Sequence, residues 1–424
     1  MKRKNQSGIT LVALVVTIVV LLILAGVSIN LVLGENGLIT QAKEAREQTK
    51  TAEVNEKSQM DSASDFISEV VNNTELPQTN ETKPYMPGDG FTKVEGTNLE
   101  NGLTIQDTDG NQYVWVEVPK TATVYPTAGT AITEFNADAY TKIENDLHTY
   151  TSTYRNNTSY KDEWYEDTNN TADWYTSEQY TAQKQKMLKS VYQNGGFWVA
   201  KYEAGLTEEN KRTSITPKPT VEPQSKVNLY PYTYVTRTEA KKLAEMVTYT
   251  KGEKTYTGSL MFGVQWDLVL KFIENKLLTT DTTIVSKLNS NSTAIGNYAN
   301  STFTINRGKY ATASSWTLSN TWNVYNTLTS NYVGENANKL AQSSDGNGIL
   351  LTTGAVEQNS LMNIYDIAGN VWEWTLEYTS HSNNLCAYRG GGYKFTGSGR
   401  LASYRNSNNT TYSSDDIGFR LSLY

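Results

Sequence analysis

Three basic residues, Lys2, Arg3 and Lys4, stand before a run from Ile9 to Leu33 in which almost every position is apolar and no charge falls before Glu35. Wound as a helix at about 1.5 Å per residue, that run spans roughly 37 Å, enough to cross a bilayer. The basic flank orients the N-terminus toward the cytoplasm. A secretory signal peptide has a shorter apolar core closed by a small-residue cleavage site. Here the helical pattern runs on through Ala42, Ala45 and Ala52 with charges between them. The pattern predicts a retained helix over 9–71, half in the membrane and half outside. From 72 to 89, Pro77, Pro84 and Pro87 lie among Asn, Thr and Gly, the composition of a linker.

Residues 90–424 read as one head domain. Residues 103–106 and 112–118 alternate apolar and polar positions on either side of Asp109-Gly110, which predicts a β-hairpin. Residues 121–190 are rich in Tyr, Asn and Thr, lack a clear period and read as an insertion with a helical end near Ser177–Tyr192. The run Gly196 to Glu203 predicts a buried strand. Thr236 with Glu239 forms a capping box that opens a helix carrying Ala240, Leu243, Ala244 and Met246. A second helix places Trp266, Val269, Leu270 and Ile273 on one face. From Leu278 onward the pattern returns to short strands and extensive loops. The fold class is therefore α+β: a long N-terminal α-helix followed by a mixed, loop-rich domain.

Composition narrows the chemistry. The formal charge of -7 argues against nucleic-acid binding, which requires a basic footprint. A single cysteine, Cys386, excludes an intramolecular disulfide framework and a Cys-rich zinc site. With only His148 and His381, a multi-histidine metal centre is excluded too. Asp107, Asp109 and Asn111 have the spacing that starts a calcium loop, but its glycine and distal glutamate are missing, so a turn is the better reading. No metal and no cofactor is expected. The 28 Tyr residues, with long Thr, Asn and Ser tracts, suit a contact surface, since these types supply area and adaptable hydrogen bonds at low entropic cost.

The polar leader ends in Lys4-Asn-Gln-Ser-Gly8, directly before the apolar run that starts at Ile9. This junction resembles the type IV prepilin leader. The resemblance implies cleavage by a prepilin peptidase between Gly8 and Ile9, and other pilins as partners. It also implies a glutamate at the fifth mature position, where this chain has Ala13. That glutamate pairs with a neighbouring subunit's terminal amine, and a buried unpaired amine is costly. A tip position, a minor subunit or a membrane-anchored protein fits Ala13 better than the repeating unit of a fibre.

Near the C-terminal end, three motifs follow in order: Tyr365, Asp366, Gly369, Asn370, Trp372, Glu373 and Trp374; then Arg389-Gly390-Gly391; then Gly418-Phe419-Arg420. This set resembles the formylglycine-generating enzyme (sulfatase-modifying factor) superfamily, which has a C-type-lectin-like fold. In physical terms these residues are scaffold. Asn370 and Asp366 can satisfy loop backbone groups, the tryptophans supply core area, and Arg389 and Arg420 can pair with carboxylates such as Glu373 or Asp366. The enzymes of the superfamily hold copper through two cysteines after the Arg-Gly-Gly. The corresponding positions here are Phe395 and Arg400, and neither can replace a thiolate on a soft Cu(I) ion. Cys386 matches neither position.

Of the 24 residues from Tyr393 to Asp416, 16 are Asn, Ser, Thr, Tyr or Asp. The segment's place between Arg-Gly-Gly and Gly-Phe-Arg is similar to the variable region of proteins altered by diversity-generating retroelements. The resemblance implies a ligand-facing surface, with Tyr393, Phe395, Tyr404, Asn406, Asn408 and Tyr412 as binding residues. Three classes of function follow. The first is a non-enzymatic adhesin or display protein at the cell surface or pilus tip, binding an extracellular protein, glycan or cell surface. The second is a structural minor pilin or pseudopilin. The third is a formylglycine-generating-type oxidase. The expectation is the first, with the head outside the cell and no catalytic residues.

Overall fold

The computed structural model describes residues 15–24, 49, 76–155, 159–325, 338–339, 345–381 and 383–424. The chain divides into two compact units, Met1–Asn73 and Thr74–Tyr424. In the first, residues 15–24 are helical, and Leu22 and Ile23 are exposed. Most of the expected helix over 9–71, together with Gly8, Ile9 and Ala13, lies outside the described residues. Among the described residues, no helix is long and apolar enough to cross a membrane.

The second unit is built on a six-stranded antiparallel sheet ordered Thr92–Lys93, Thr104–Gln106, Gln112–Glu117, Gly196–Ala200, Leu421–Leu423, Ser259–Leu260. The predicted hairpin is its second and third strands. Its turn is closed by Asp107, whose carboxylate accepts from the backbone N of Asp109 and Asn111 at 3.0 and 2.8 Å, so the acidic spacing makes a turn. Trp115 and Trp198 face each other across neighbouring strands, their ring centroids 5.0 Å apart.

Those two indoles explain a departure from expectation. A buried Trp needs an acceptor for its N–H. Trp115 Nε1 donates to Thr82 Oγ1 and Trp198 Nε1 donates to the Tyr85 carbonyl, each at 2.8 Å. Residues 76–89, expected to be linker, therefore lie along the sheet, with Leu76 and Thr82 buried. Prolines that suit a linker equally suit a strap held by side chains.

The 121–190 stretch is likewise no loose insertion. Asn136 caps a helix over Ala137–Tyr150 by accepting from Ala139 N, and Ile143 and Leu147 are buried on its inner face. The second helix, Ser177–Asn194, covers the helical end expected near Ser177–Tyr192 and starts at a Thr176/Gln179 capping box. Tyr125, Tyr154, Tyr165, Trp174 and Tyr180 join the main core. Most of their polar tips find partners there: the Tyr154 hydroxyl donates to Glu274 Oε2 and the Tyr180 hydroxyl to the Leu376 carbonyl, both at 2.9 Å, while the Tyr125 hydroxyl is buried without one. Tyrosine blurs the hydrophobic period because each ring is apolar core with a hydrogen-bonding end.

The helices Arg237–Met246 and Gly263–Leu277 match the reading, the first with its Thr236/Glu239 box and the second with Trp266, Val269, Leu270 and Ile273 buried. The N-terminal amides of the latter would be orphaned. Asp162 accepts from Gly263 N and Val264 N at 2.6 and 2.9 Å, which ties the 121–190 region to this helix. Two further sheets of more than two strands lie in the head. One centres on Trp372–Thr379, flanked by Cys386–Arg389, with Arg405–Asn408 beyond, and by Ile417–Phe419 in parallel. The other pairs Lys309–Ser314 with Thr317–Leu318, Asn323–Val324 and Gly348–Leu351.

Candidate ligand-binding surface

The motif residues build a rigid base. Asn370 has a positive φ and is fully buried, and its side-chain oxygen accepts from Leu351 N and Asn297 Nδ2 at 3.1 and 3.0 Å. Its nitrogen donates to Glu203 Oε2 at 2.6 Å. Asp366 accepts from Gly354 N at 3.2 Å. Arg420 grips Glu373, with Nη2 2.7 Å from Oε1, as expected. Burial raises the carboxyls of Glu203 and Glu373 above their usual range and pushes Asp366 up to about 6.

Arg389 does not pair with Glu373 or Asp366. Its Nη2 donates to Asp267 Oδ1 at 2.7 Å, and Nη1 lies 3.4 Å from Glu377 Oε2. Arg405 closes the set, with Nη2 to Asp267 Oδ2 at 2.5 Å and Nε to Glu377 Oε1 at 2.8 Å. With Arg155 Nη1 3.8 Å from Asp267 Oδ2, three guanidinium groups thus face two fully buried carboxylates. Burial alone would raise Glu377, but Arg405 and Arg389 outweigh it and hold its carboxyl below the usual range.

On this base an aromatic ladder runs outward. Trp374 packs edge-on against Tyr388 at 5.2 Å, Tyr388 against Trp372 at 5.0 Å, Trp372 against Phe395 at 5.6 Å, and Phe395 against Trp316 at 5.3 Å. Tyr404 joins from the side, 6.1 Å from Trp372. Trp372 and Trp374 are buried, whereas Trp316 is 51% exposed. Ser315 and Trp316 form the two-residue turn between Lys309–Ser314 and Thr317–Leu318, with φ of 48° and 70°. Both values belong to a turn normally made by Asn-Gly, and a bulky residue there is strained. Lys394 Nζ donates to the Trp316 carbonyl at 2.9 Å, and the ring packs on Gly346, where any Cβ would strike it.

The six expected binding residues divide. Tyr393 is fully buried with Ala313, Leu350 and Val371, so it belongs to the core and not to an outward face. Phe395, Tyr404 and Tyr412 are half-buried and pack against the core, so they are both support and surface. Asn406 and Asn408 lie on the strand Arg405–Asn408, half-exposed, each accepting from the backbone N of the next residue at 3.0 and 2.9 Å. Phe395 and Tyr404 come together with Trp316 and Arg400, which were not among the six. Nothing in Ser315-Trp316 signals a left-handed turn, so Trp316 was not visible from sequence.

Phe395 and Arg400, the positions at which the resemblance implied thiolates in the enzymes, offer no soft donor; the Arg400 guanidinium lies over the Phe395 ring, 5.6 Å from its centroid. Cys386 is buried against the Tyr165 hydroxyl at 3.1 Å, and burial pushes its thiol up to about 11. These residues do not fit copper. Among the described residues, Glu144, His148 and Asp162 bring their ligand atoms within 4.8 Å of one another. Lys184 Nζ already lies 3.0 Å from the Glu144 carboxylate and 2.8 Å from the Asp162 carbonyl, and the Asp162 carboxylate caps a helix.

Burial, with the charge of Arg155 second, lowers the His148 imidazole to about 4; Lys184 acts in the same direction, Asp267 and Glu377 against it. A histidine held neutral in the fold favours unfolding once the unfolded chain takes up a proton. His148 therefore contributes stability above its ordinary value of 6.5 that is lost as pH falls toward about 4. His148→Gln should flatten that stretch of the stability profile, measured as urea midpoint against pH for both proteins.

A family model described as "Sulfatase-modifying factor enzyme 1-like domain" matches residues 292–423. No curated protein matches the sequence. Among solved structures, CarF is similar at 13% identity and a TM-score of 0.28, covering 54% of this chain and 85% of that one. Treponema denticola variable protein 1 is similar at 13% identity and a TM-score of 0.28, covering 54% of this chain and 84% of that one. The family match spans the Trp372, Arg389 and Gly418 motifs and supports the lectin-like, formylglycine-generating-type fold that those motifs implied.

Proposed function

We propose that this chain is a non-enzymatic display protein whose head binds an extracellular ligand through the Trp316, Phe395, Tyr404 face. A pilin-like N-terminal helix tethers it to the cell membrane or a pilus. One observation carries the reading: a half-exposed tryptophan is kept at a strained turn position, φ 70°, packed on Phe395 at the outer end of a ladder whose inner rings are buried. Stability alone favours Gly there. Rigid aromatic anchors on a packed base are what binding hot spots need. The lack of donors for copper at Phe395 and Arg400 supports binding over oxidation, and the Asn406, Asn408 and Tyr412 side chains extend the same surface.

The test is a capture panel of proteins, glycans and whole cells presented to the full-length protein and its Trp316→Gly variant. The variant should melt no lower than the parent, and capture should weaken by about 2 kcal/mol or more, as for a hot-spot residue. Equal capture by both proteins, or none by the parent, would sink the proposal. The tether has its own check. The mature protein should begin at Ile9, and an intact leader detected by mass spectrometry would remove prepilin processing from the account.

A further inference from the structure

The chemistry of the ligand can be taken further, on the reading that the Trp316 face is a binding site. The segment Tyr393–Asp416 carries three cations, Lys394, Arg400 and Arg405. Lys394 is matched by Asp415 at 2.5 Å, and Arg405 by Asp267 and Glu377. Arg400 has no carboxylate partner among the described residues. Its guanidinium carbon lies 4.9 Å from the Tyr404 ring centroid and 5.6 Å from that of Phe395. Its Nη1 donates to the Gly399 carbonyl at 2.9 Å, and its Nε is buried with no partner, which leaves Nη2 uncommitted. The nearby acid Asp345 accepts from Thr396 N at 2.9 Å instead.

A guanidinium packed on rings is already ordered and partly shielded from water. Both conditions strengthen a charge-assisted hydrogen bond to an incoming anion. We propose that Arg400 receives the carboxylate of an Asp or Glu side chain on a protein ligand, while the Trp316 ring takes an apolar residue beside it. The net charge of -7 repels polyanions and leaves a single carboxylate in an apolar setting as the better fit. Trp, Tyr and Arg are the types that dominate protein interfaces, and a rim of Tyr, Ser and Asn suits protein contacts. Together these favour a protein ligand over an acidic sugar.

Fluorotryptophan-labelled full-length protein provides the readout, with the Trp316 fluorine resonance assigned by its loss in Trp316→Gly. The probes are the capped tripeptide Leu-Glu-Leu, its Leu-Gln-Leu isostere, and glucuronate. The Glu peptide should shift the Trp316 resonance with a Kd about tenfold below that of the Gln peptide. That preference should shrink in high salt, vanish in Arg400→Gln and return in part in Arg400→Lys, all with unchanged melting. Equal shifts from both peptides would overturn the carboxylate assignment yet leave the binding surface standing. Tighter binding of glucuronate, or no shift from the Glu peptide while the capture panel succeeds, would overturn the protein class. Failure of the panel itself would instead remove the reading on which this inference rests.

Discussion

Asp267→Ala is expected to lower the stability of the head by about 3–5 kcal/mol, the usual cost of leaving buried charge unmatched. The Asp267 carboxylate is fully buried and accepts from Arg389 Nη2 on one oxygen and Arg405 Nη2 on the other. Arg155 Nη1 lies 3.8 Å away as well. Removing the carboxylate leaves Glu377 alone to balance these guanidinium groups, of which Arg389 is fully buried. Asp267→Asn keeps the shape and one acceptor but not the charge, so it should fall between the parent and Asp267→Ala. Urea titration of all three proteins checks the order. A loss under about 1 kcal/mol for Asp267→Ala would mean that the cluster is wet or that the arginines find other partners.

Trp372→Ala should cost a similar amount, about 3–5 kcal/mol, as truncation of a buried aromatic does. Its effect also reaches the surface. Trp372 touches Tyr388, Phe395 and Tyr404, so its loss removes the support under Phe395 and Tyr404 together. Trp372→Phe should retain much of the stability and yet weaken capture, because a smaller ring leaves Phe395 free to shift. The check is a melting curve beside the capture assay for each variant. Full capture by Trp372→Phe would show that the outer rings hold their place unaided.

The parts of this fold legible in the sequence are those where one period or one cap dominates. The 103–118 hairpin, the Thr236 box and the Trp266 helix follow from local pattern, and each forms where the pattern puts it. Both glycines of the Arg389-Gly-Gly motif take positive φ, a conformation that glycine adopts without cost. The strap over 76–89 was not legible, because its anchors are side chains far along the chain, Trp115 and Trp198. Asn136 with Ile143 and Leu147 offered a cap and a helical spacing, but the surrounding Tyr and Thr hid them. At the candidate site, sequence located the segment but could not separate inward from outward side chains. Tyr393 and Tyr404 look alike in composition, yet one is core and the other faces the surface. Trp316 and Arg400 gain meaning only from the approach of two distant loops.

The strand Leu421–Leu423 lies inside the six-stranded sheet, between Gly196–Ala200 and Ser259–Leu260, and its neighbours in that sheet begin as early as Thr92. During synthesis the ribosome must therefore deliver residue 423 before that sheet can close. Until then Trp198, Leu260 and the rings around them lack a wall, and the growing chain exposes them. Such long-range closure makes folding slow. Helices such as Gly263–Leu277 can form early, but the head becomes protease-resistant only after elongation passes this strand. A ribosome-stalling series read by pulse proteolysis should show protection arriving in one late step.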